Sequence, residues 1–226
     1  MMLNKKRVLS ATLAGVAGLL LASSASASGA YFGGQLGWGT THQGGIANSD
    51  ISTATKNLGL TSTGSASANS SRDNGLAGRV FAGYDLTENF AAELGYTKFS
   101  NSTANKTVAA TGAATSLNLN QKLKTYAVDL VGKGTLPLQY GFNAFGKLGV
   151  AYLNQSGNIT DTAGSATYKL NKGQSKFLPT FGAGIGYAIN KNVSADLSWT
   201  RIQKVGNSSY LKSTDFVGFG LGYHFG

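Results

Sequence analysis

Hydrophobic and polar residues alternate strictly in several segments of this chain. In residues 90–97, Phe90, Ala92, Leu94 and Tyr96 share one face, while small or polar residues share the other. This period of two is typical of a β-strand with one apolar face. We predict eight strands of about ten residues each, which contain residues 32–38, 76–85, 90–97, 125–133, 143–152, 181–187, 193–199 and 217–225.

The connections between these segments alternate between short and long. The short ones lie near residues 85–89, 135–141 and 190–192, and the long, polar ones cover residues 40–74, 100–122, 154–175 and 203–213. Short turns at one end and long loops at the other are typical of up-and-down barrels in membranes. A sheet in lipid must close on itself because every backbone polar group needs a partner. We therefore predict an all-β, eight-stranded antiparallel up-and-down transmembrane β-barrel. The alternative, a water-soluble carrier barrel, would turn its apolar face inward.

Aromatic residues on the apolar faces collect at the two ends of the predicted strands. One set falls at the short-turn end: Tyr84, Phe90, Phe142, Tyr187, Tyr223 and Phe225. The other set falls at the long-loop end: Trp38, Tyr96, Tyr126, Tyr152 and Trp199. Two aromatic girdles, one at each membrane interface, are characteristic of transmembrane barrels. The girdles therefore favour a barrel that crosses a membrane.

The N-terminal residues have the layout of a secretory signal peptide. Cations at residues 5–7 precede an apolar stretch at 8–21 and the small-residue site Ala25-Ser26-Ala27. A membrane anchor is the alternative, but a helical span needs roughly 20 apolar residues. We predict a signal peptide at 1–27 and a barrel at 28–226. Charged residues make up only 12% of the chain, against roughly 25% in soluble domains, and the absence of Cys excludes disulfides.

Four short stretches resemble one known family. They are Phe90-Ala-Ala-Glu-Leu-Gly-Tyr96, Lys147-Leu-Gly-Val-Ala-Tyr152, residues 181–189 with Gly-Tyr-Ala-Ile, and Leu221-Gly-Tyr-His-Phe-Gly226. In order and spacing they are similar to the N-terminal barrel of bacterial outer-membrane protein A. The resemblance implies an integral protein of the Gram-negative outer membrane with a structural or surface-interaction role.

The resemblance also bears on the C-terminus. Tyr223 and Phe225 resemble the terminal aromatic signal that the barrel-assembly machinery reads. Many relatives carry a peptidoglycan-binding domain after the barrel, whereas this sequence ends at Gly226. We therefore expect no tether to the cell wall through such a domain.

Six charged residues, three of each sign, fall on the inward faces of the predicted strands. They are Arg79, Glu93, Asp129, Lys133, Lys147 and Asp196. Buried charges persist when they are paired, so we predict a luminal ion-pair network. The network either satisfies a polar interior or forms the gate of a narrow, low-conductance pore. Relatives have such a network, with Glu93 and Lys133 at matching positions, but this chain has Gly186 and Asp196 where they have a glutamate and an arginine.

Glycines at alternate positions leave bare backbone on two inward faces, at residues 182–186 and 218–222. An eight-stranded barrel is just wide enough for side chains to fill it. Either the inward-facing Phe81, Phe145 and Phe216 fill the space above these glycines, or a water-filled cavity remains. We favour filling, which predicts contacts of aromatic rings on glycine.

Basic residues cluster in and beside the long loops. Six lie at the strand ends: Lys98, Lys122, Lys124, Lys176, Arg201 and Lys204. They either are solvated surface charge or pair with lipopolysaccharide phosphates. We accordingly expect outer-membrane lipid, lipopolysaccharide, the assembly machinery and an unidentified extracellular ligand as partners, with no nucleic acid, in a monomer.

The sequence offers little for catalysis. Acyl transfer needs a nucleophile with a positioned base, usually His, and the chain has only His42 and His224. We expect no acid near His224, while His42 has Asp50 as a candidate partner. We therefore predict no enzyme, no cofactor and no metal site. A lipid-A-modifying enzyme that pairs His42 with a loop serine is the remaining alternative.

Overall fold

The computed structural model describes the backbone of residues 29–42, 61–72, 74–111, 117–163, 166–206 and 212–225. Side chains are described for residues 29–42, 74–103, 122–157, 173–206 and 212–225. The predicted signal peptide at 1–27 lies outside these residues. Within them, no helix has the length and apolar character needed to cross a membrane.

The described backbone is almost entirely β-strand. The strands are β1 (Ala30–Thr41), β2 (Thr61–Arg72), β3 (Asn74–Asp85), β4 (Phe90–Phe99), β5 (Ser102–Thr111), β6 (Leu117–Pro137), β7 (Phe142–Ala163), β8 (Ala166–Ala188), β9 (Val193–Ile202) and β10 (Thr214–His224). One 3₁₀ turn, Gln139–Gly141, joins β6 to β7.

Eight of these strands form a closed antiparallel ring. Its order is β1-β3-β4-β6-β7-β8-β9-β10, and β10 returns to β1 from Tyr31↔His224 to Thr41↔Thr214. The predicted eight-stranded up-and-down barrel is therefore confirmed. The three predicted short connections are turns and lie at one end, which we call the short-turn end; the opposite end is the long-loop end.

Three strands are about twice as long as the sequence pattern predicted. β6, β7 and β8 have 21, 22 and 23 residues, and β7 pairs with β8 from Phe142↔Tyr187 to Ala163↔Ala166. The expectation that 100–122 and 154–175 are loops was wrong for most of their length. Apolar alternation stops where the membrane would stop, but backbone pairing continues with polar side chains.

Two further strands widen this extension into a sheet at the long-loop end. β5 pairs with the first part of β6 between Ser102↔Leu123 and Val108↔Leu117, and β2 pairs with β5. The predicted loop at 40–74 therefore also contains a strand, β2. Together β2, β5 and the outer parts of β6 to β8 form a sheet beyond the barrel wall.

The barrel wall is apolar outside and polar inside. Leu36, Leu130 and Leu148 are 62–70% exposed, whereas the side chains of Arg79 and Glu93 are buried. A soluble carrier barrel would show the opposite arrangement, so this alternative is excluded. The outward phase predicted for each apolar face is confirmed.

The aromatic residues form the two expected outward girdles. Phe142 packs on Tyr187 at the short-turn end, with 4.9 Å between ring centroids, and Tyr96 lies 6.1 Å from Tyr126 at the other end. The sequence analysis missed Phe177, which is exposed and packs 5.2 Å from Tyr152. Phe177 lies in β8 between the predicted loop at 154–175 and the predicted strand at 181–187, so it was not assigned to a girdle.

Candidate functional site

Four of the six predicted luminal charges meet at the centre of the barrel. Arg79 on β3 donates from Nη2 to Glu93 Oε1 on β4 and to Asp129 Oδ1 on β6, each at 2.8 Å. Lys147 Nζ on β7 donates to the same Glu93 oxygen at 2.7 Å. The four side chains are at most 4% exposed. We call Arg79, Glu93, Asp129 and Lys147 the ionic layer.

The other two predicted members are held differently. Lys133 Nζ lies over the rings of Phe145 and Tyr31, 4.7 and 5.4 Å from their centroids. Asp196 accepts a hydrogen bond from Gln35 Nε2, which also donates to Ser198 Oγ at 3.0 Å. The predicted six-membered ion-pair network is thus corrected to four ion-paired residues, a cation on aromatic rings and an amide-bound carboxylate.

Gln35 was not predicted as part of the luminal network, although the sequence contains a signal for it. It lies between Gly33 and Gly37 on the inward phase of β1 and is 3% exposed. A polar side chain on an otherwise glycine-rich inward face has a partner across the lumen when it is buried. The sequence predicts that Gln35 lies on the inward face of β1, but it does not predict which residue binds Gln35 across the lumen.

Aromatic rings extend the ionic layer toward the short-turn end. Lys147 Nζ lies 5.4 Å from the ring centroids of both Phe81 and Phe145. The Tyr31 hydroxyl donates to Glu93 Oε2 at 3.3 Å. These contacts pack cations against ring faces, which is favourable where water is excluded.

The rings also occupy the space above inward glycines. Phe145 and Phe216 do so on the two predicted faces, at residues 182–186 and 218–222, whereas Phe81 does so on β1. Phe81 lies against Gly33, Phe145 against Gly184 and Phe216 against Gly218. At each glycine, a Cβ would overlap the ring or come within 2.5 Å of it. The lumen therefore uses glycine to make room for aromatic side chains.

A layer of buried apolar side chains, which we call the apolar layer, lies on the long-loop side of the ionic layer. Its buried members are Ala77, Phe99, Ala127, Ala151, Leu153, Leu178, Ile202 and Phe216. None of them is more than 6% exposed. Side chains therefore fill the described barrel on both sides of the ionic layer.

His224 at the short-turn end has an acid nearby, contrary to expectation. Its Nδ1 lies 3.7 Å from Asp85 Oδ2, and its Nε2 lies 3.4 Å from Ser194 Oγ. The ring stacks on Tyr31 at 4.9 Å. Closure of the barrel brings the end of β3 close to the end of β10. The alternation of residues along a single strand could not predict this contact.

His42 at the long-loop end pairs with Asp215 of β10. The distance from Nε2 to Asp215 Oδ2 is 2.7 Å, and Trp199 Nε1 and Arg201 Nη1 also donate to this carboxylate at 3.1 and 3.4 Å. Asp50, the expected partner, lies outside the described residues. Arg201, which was expected to face lipopolysaccharide, is therefore partly neutralised by Asp215.

The six predicted rim cations do not form one surface. Lys98, Lys122 and Lys124 are exposed on the outward phase of β4 and β6. Lys176 instead lies on the inward phase of β8, and its Nζ donates to the Val205 carbonyl at 3.5 Å. Lys204 lies after β9 and is half-buried, with its backbone N–H donating to Ser213 Oγ. We call Lys98, Lys122 and Lys124 the basic patch.

Known proteins are similar to this chain in sequence or in fold. The family model of the OmpA-like transmembrane domain matches residues 25–226. An uncharacterized protein of Coxiella burnetii is 28% identical over 224 residues, which cover 90% of this chain and 88% of the relative. The N-terminal β-barrel domain of Pseudomonas aeruginosa OprF is 14% identical with a TM-score of 0.44, and the match covers 88% of this chain and 98% of that one. OprG of the same organism is 13% identical with a TM-score of 0.47 and the same coverage. The chain belongs to the family of OmpA-like transmembrane domains and is an eight-stranded outer-membrane β-barrel.

Proposed function

We propose that this protein is a sealed barrel that anchors an extracellular β-sheet in the Gram-negative outer membrane, with a structural or surface-interaction role. The observation that carries the proposal is the filled lumen. Glu93 and Arg79 are 1% and 2% exposed, and the neighbouring Leu153 is 0% exposed. The binding of these charges to one another beneath an apolar layer supports a lumen without a continuous water path. The test is the conductance of the folded barrel in a planar bilayer, which we expect to be silent.

The extension of β6, β7 and β8 supports a role on the cell surface. A tilted strand crosses the bilayer in roughly 9–11 residues, whereas these strands have 21 to 23. At about 3.3 Å per residue, the remainder measures about 40 Å along each strand. The long loops of outer-membrane barrels are extracellular, so this sheet is the part of the protein that an extracellular ligand would meet.

A narrow pore is the second candidate, and one observation favours it. Arg79 and Lys147 both bind Oε1 of Glu93, so a change of side-chain rotamer could exchange the two cations. Such an exchange would open a path only if the apolar layer also moved. The bilayer experiment separates the two candidates.

Our proposal includes no enzymatic activity. Ser194 Oγ lies 3.4 Å from His224 Nε2, and His224 Nδ1 lies 3.7 Å from Asp85 Oδ2, and our proposal assigns these contacts to the packing of the short-turn end. At the other rim, His42 is bound to Asp215, and a lipid-A-modifying site would need a nucleophile beside it. The geometry therefore favours structural roles for both histidines.

We also propose that the basic patch binds phosphate groups of lipopolysaccharide. Lys98 lies opposite Tyr126 in the β4–β6 pairing, and Lys124 is the next outward residue beyond Tyr126. Diagonal neighbours of this kind are about 7–8 Å apart. The patch thus lies just above the outer aromatic girdle, at the level where anionic headgroups meet the barrel wall.

Neutralising the patch should weaken lipopolysaccharide binding about a hundredfold. The variant Lys98→Gln/Lys122→Gln/Lys124→Gln removes three cations, each worth about 1 kcal/mol near an anionic surface. The measurement is the affinity of detergent-folded protein for purified lipopolysaccharide. A charge-matched control, Lys176→Gln/Lys204→Gln/Lys212→Gln, should bind almost as tightly as wild type. Equal losses in both variants would show that the effect is general charge rather than the patch.

The C-terminal aromatic pair supports assembly by the barrel machinery. Phe225 packs against Tyr223 at 5.3 Å and Phe32 at 5.6 Å. Its backbone N–H donates to the Ala30 carbonyl, which fixes the last residues beside β1. We propose that Tyr223 and Phe225 are read before this seam closes.

A further inference from the structure

Four buried polar atoms in the lumen have no hydrogen-bond partner among protein atoms. Among the described side chains, they are Gln35 Oε1, Arg79 Nε, Thr125 Oγ1 and Gln155 Nε2. Native proteins rarely leave such atoms unsatisfied. Each of these atoms therefore needs an explanation.

The four atoms fall into two directly opposed cross-strand pairs. Gln35 on β1 pairs with Arg79 on β3, and Thr125 on β6 pairs with Gln155 on β7. Side chains opposite each other have Cβ atoms about 4.5–5.5 Å apart. Each pair also combines a donor with an acceptor: Arg79 Nε–H with the acceptor Gln35 Oε1, and Gln155 Nε2 with a hydroxyl that can accept.

Other polar atoms of Gln35, Arg79 and Gln155 are engaged elsewhere, and the paired atoms are not hydrogen-bonded to each other. Gln35 Nε2 is held by Asp196 and Ser198, while Arg79 Nη2 is held by the carboxylates of the ionic layer. Gln155 Oε1 accepts the backbone N–H of Lys212 at 3.2 Å. Two polar groups that are not bonded to each other can share a bridging molecule that both donates and accepts.

We propose that each pair binds one internal water molecule. The inner site lies between Gln35 Oε1 and Arg79 Nε, and the outer site lies between Thr125 Oγ1 and Gln155 Nε2. Water meets the requirements because it both donates and accepts, and buried waters make two to four hydrogen bonds to groups of this kind. This assignment does not depend on the proposed surface role.

The apolar layer separates the two sites. On β6, Ala127 lies between Thr125 and Asp129 of the ionic layer, and on β7, Ala151 and Leu153 lie between Lys147 and Gln155. These three residues are fully buried, at 0% exposed. The two waters are therefore isolated and form no continuous file through the barrel.

A crystal structure at a resolution that orders internal water tests the assignment. Wild type should show one solvent peak within hydrogen-bond distance of both atoms in each pair. Thr125→Val should lose the outer peak and keep the inner one. Thr180→Val is the matched control, because that hydroxyl already donates to the Arg201 carbonyl at 3.1 Å, and it should keep both peaks. A pair that is bonded directly, or that has no density between its atoms, overturns the assignment for that site.

Unfolding in vesicles gives an independent solution test of the outer site. If a water bridges Thr125 and Gln155, Thr125→Val should lower the urea midpoint, because the water loses a partner. If the hydroxyl is simply unsatisfied, the isosteric valine should leave the midpoint unchanged or raise it. An unchanged or raised midpoint would overturn the outer water site.

Discussion

Glu93→Gln is expected to destabilise the folded barrel by about 3–5 kcal/mol, since removing one partner of a buried ion pair leaves charge uncompensated. Glu93 accepts hydrogen bonds from Arg79, Lys147 and Tyr31. Its loss leaves two buried cations facing one carboxylate, that of Asp129. The measurement is the free energy of unfolding in phospholipid vesicles, followed by tryptophan fluorescence.

Two companion variants make this result specific. Glu88 is the other glutamate of the chain and is exposed in a short turn, so Glu88→Gln should change the free energy by less than about 0.5 kcal/mol. Glu93→Gln/Lys147→Met removes both charges of one pair and leaves Arg79 balanced by Asp129, so no buried charge stays uncompensated. The double variant should therefore recover much of the loss. A single variant as stable as wild type would show that the ionic layer is not a coupled unit.

Gly37→Ala is expected to cost about 3 kcal/mol or more, at the upper end of overpacking effects. Gly37 lies on the inward phase at the β1–β10 seam, opposite Gly218. A Cβ there would overlap the Val217 carbonyl oxygen and lie 2.5 Å from Gly218 Cα. Because both obstacles are backbone, they can move only if the two strands separate, and that opens the barrel.

Gly34→Ala is the matched control on the same strand. Its Cβ would meet only the Arg79 carbonyl oxygen, at 3.7 Å. Since glycine within a strand is itself unfavourable by roughly 0.5–1 kcal/mol, this variant should be as stable as wild type or slightly more stable. Unfolding free energies and heat-modifiable mobility of both variants provide the comparison. Equal stability would contradict the close approach at the seam.

Phase along each strand was sufficient to predict the barrel and its inward charges. Glu93 and Lys147 face the lumen because the residues next to them in their strands are apolar and face outward. The sheet must close into a barrel because lipid offers no partner to an open edge. Phase also predicted that Phe145 and Phe216 would fill the space above the glycines of β8 and β10. These features follow from side-chain alternation alone.

Neighbours around the ring could not be predicted in the same way. The acid beside His224 is Asp85 of β3, and the partner of Asp196 is Gln35 of β1. Both contacts depend on strand register, which a single sequence does not specify. The long strands β6 to β8 were missed for a different reason, because their outer parts are mostly polar and the alternation there, as at Leu117 and Leu119, is short.

The position of the basic patch shows the same limit. Lys98 and Lys176 were both predicted to lie at strand ends. Lys98 is on the outward face of β4, whereas Lys176 is on the inward face of β8. Both residues belong to the cations near the loops that were predicted as one group. Only a cation on the outward face of the barrel can reach lipid. The proposed lipopolysaccharide site therefore contains three of the six cations that were predicted from the sequence.

The conductance of single barrels in a planar bilayer tests the central claim, that side chains seal the lumen. Protein shown to be folded by heat-modifiable mobility should give no steps above the lipid baseline. Glu93→Gln, examined alongside it, would show whether loosening the ionic layer alone opens a path, and we expect none because Leu153 and Leu178 remain buried in the apolar layer. Stable steps from the folded wild type, altered when Glu93 or Lys147 is neutralised, would contradict sealing and establish a gated pore.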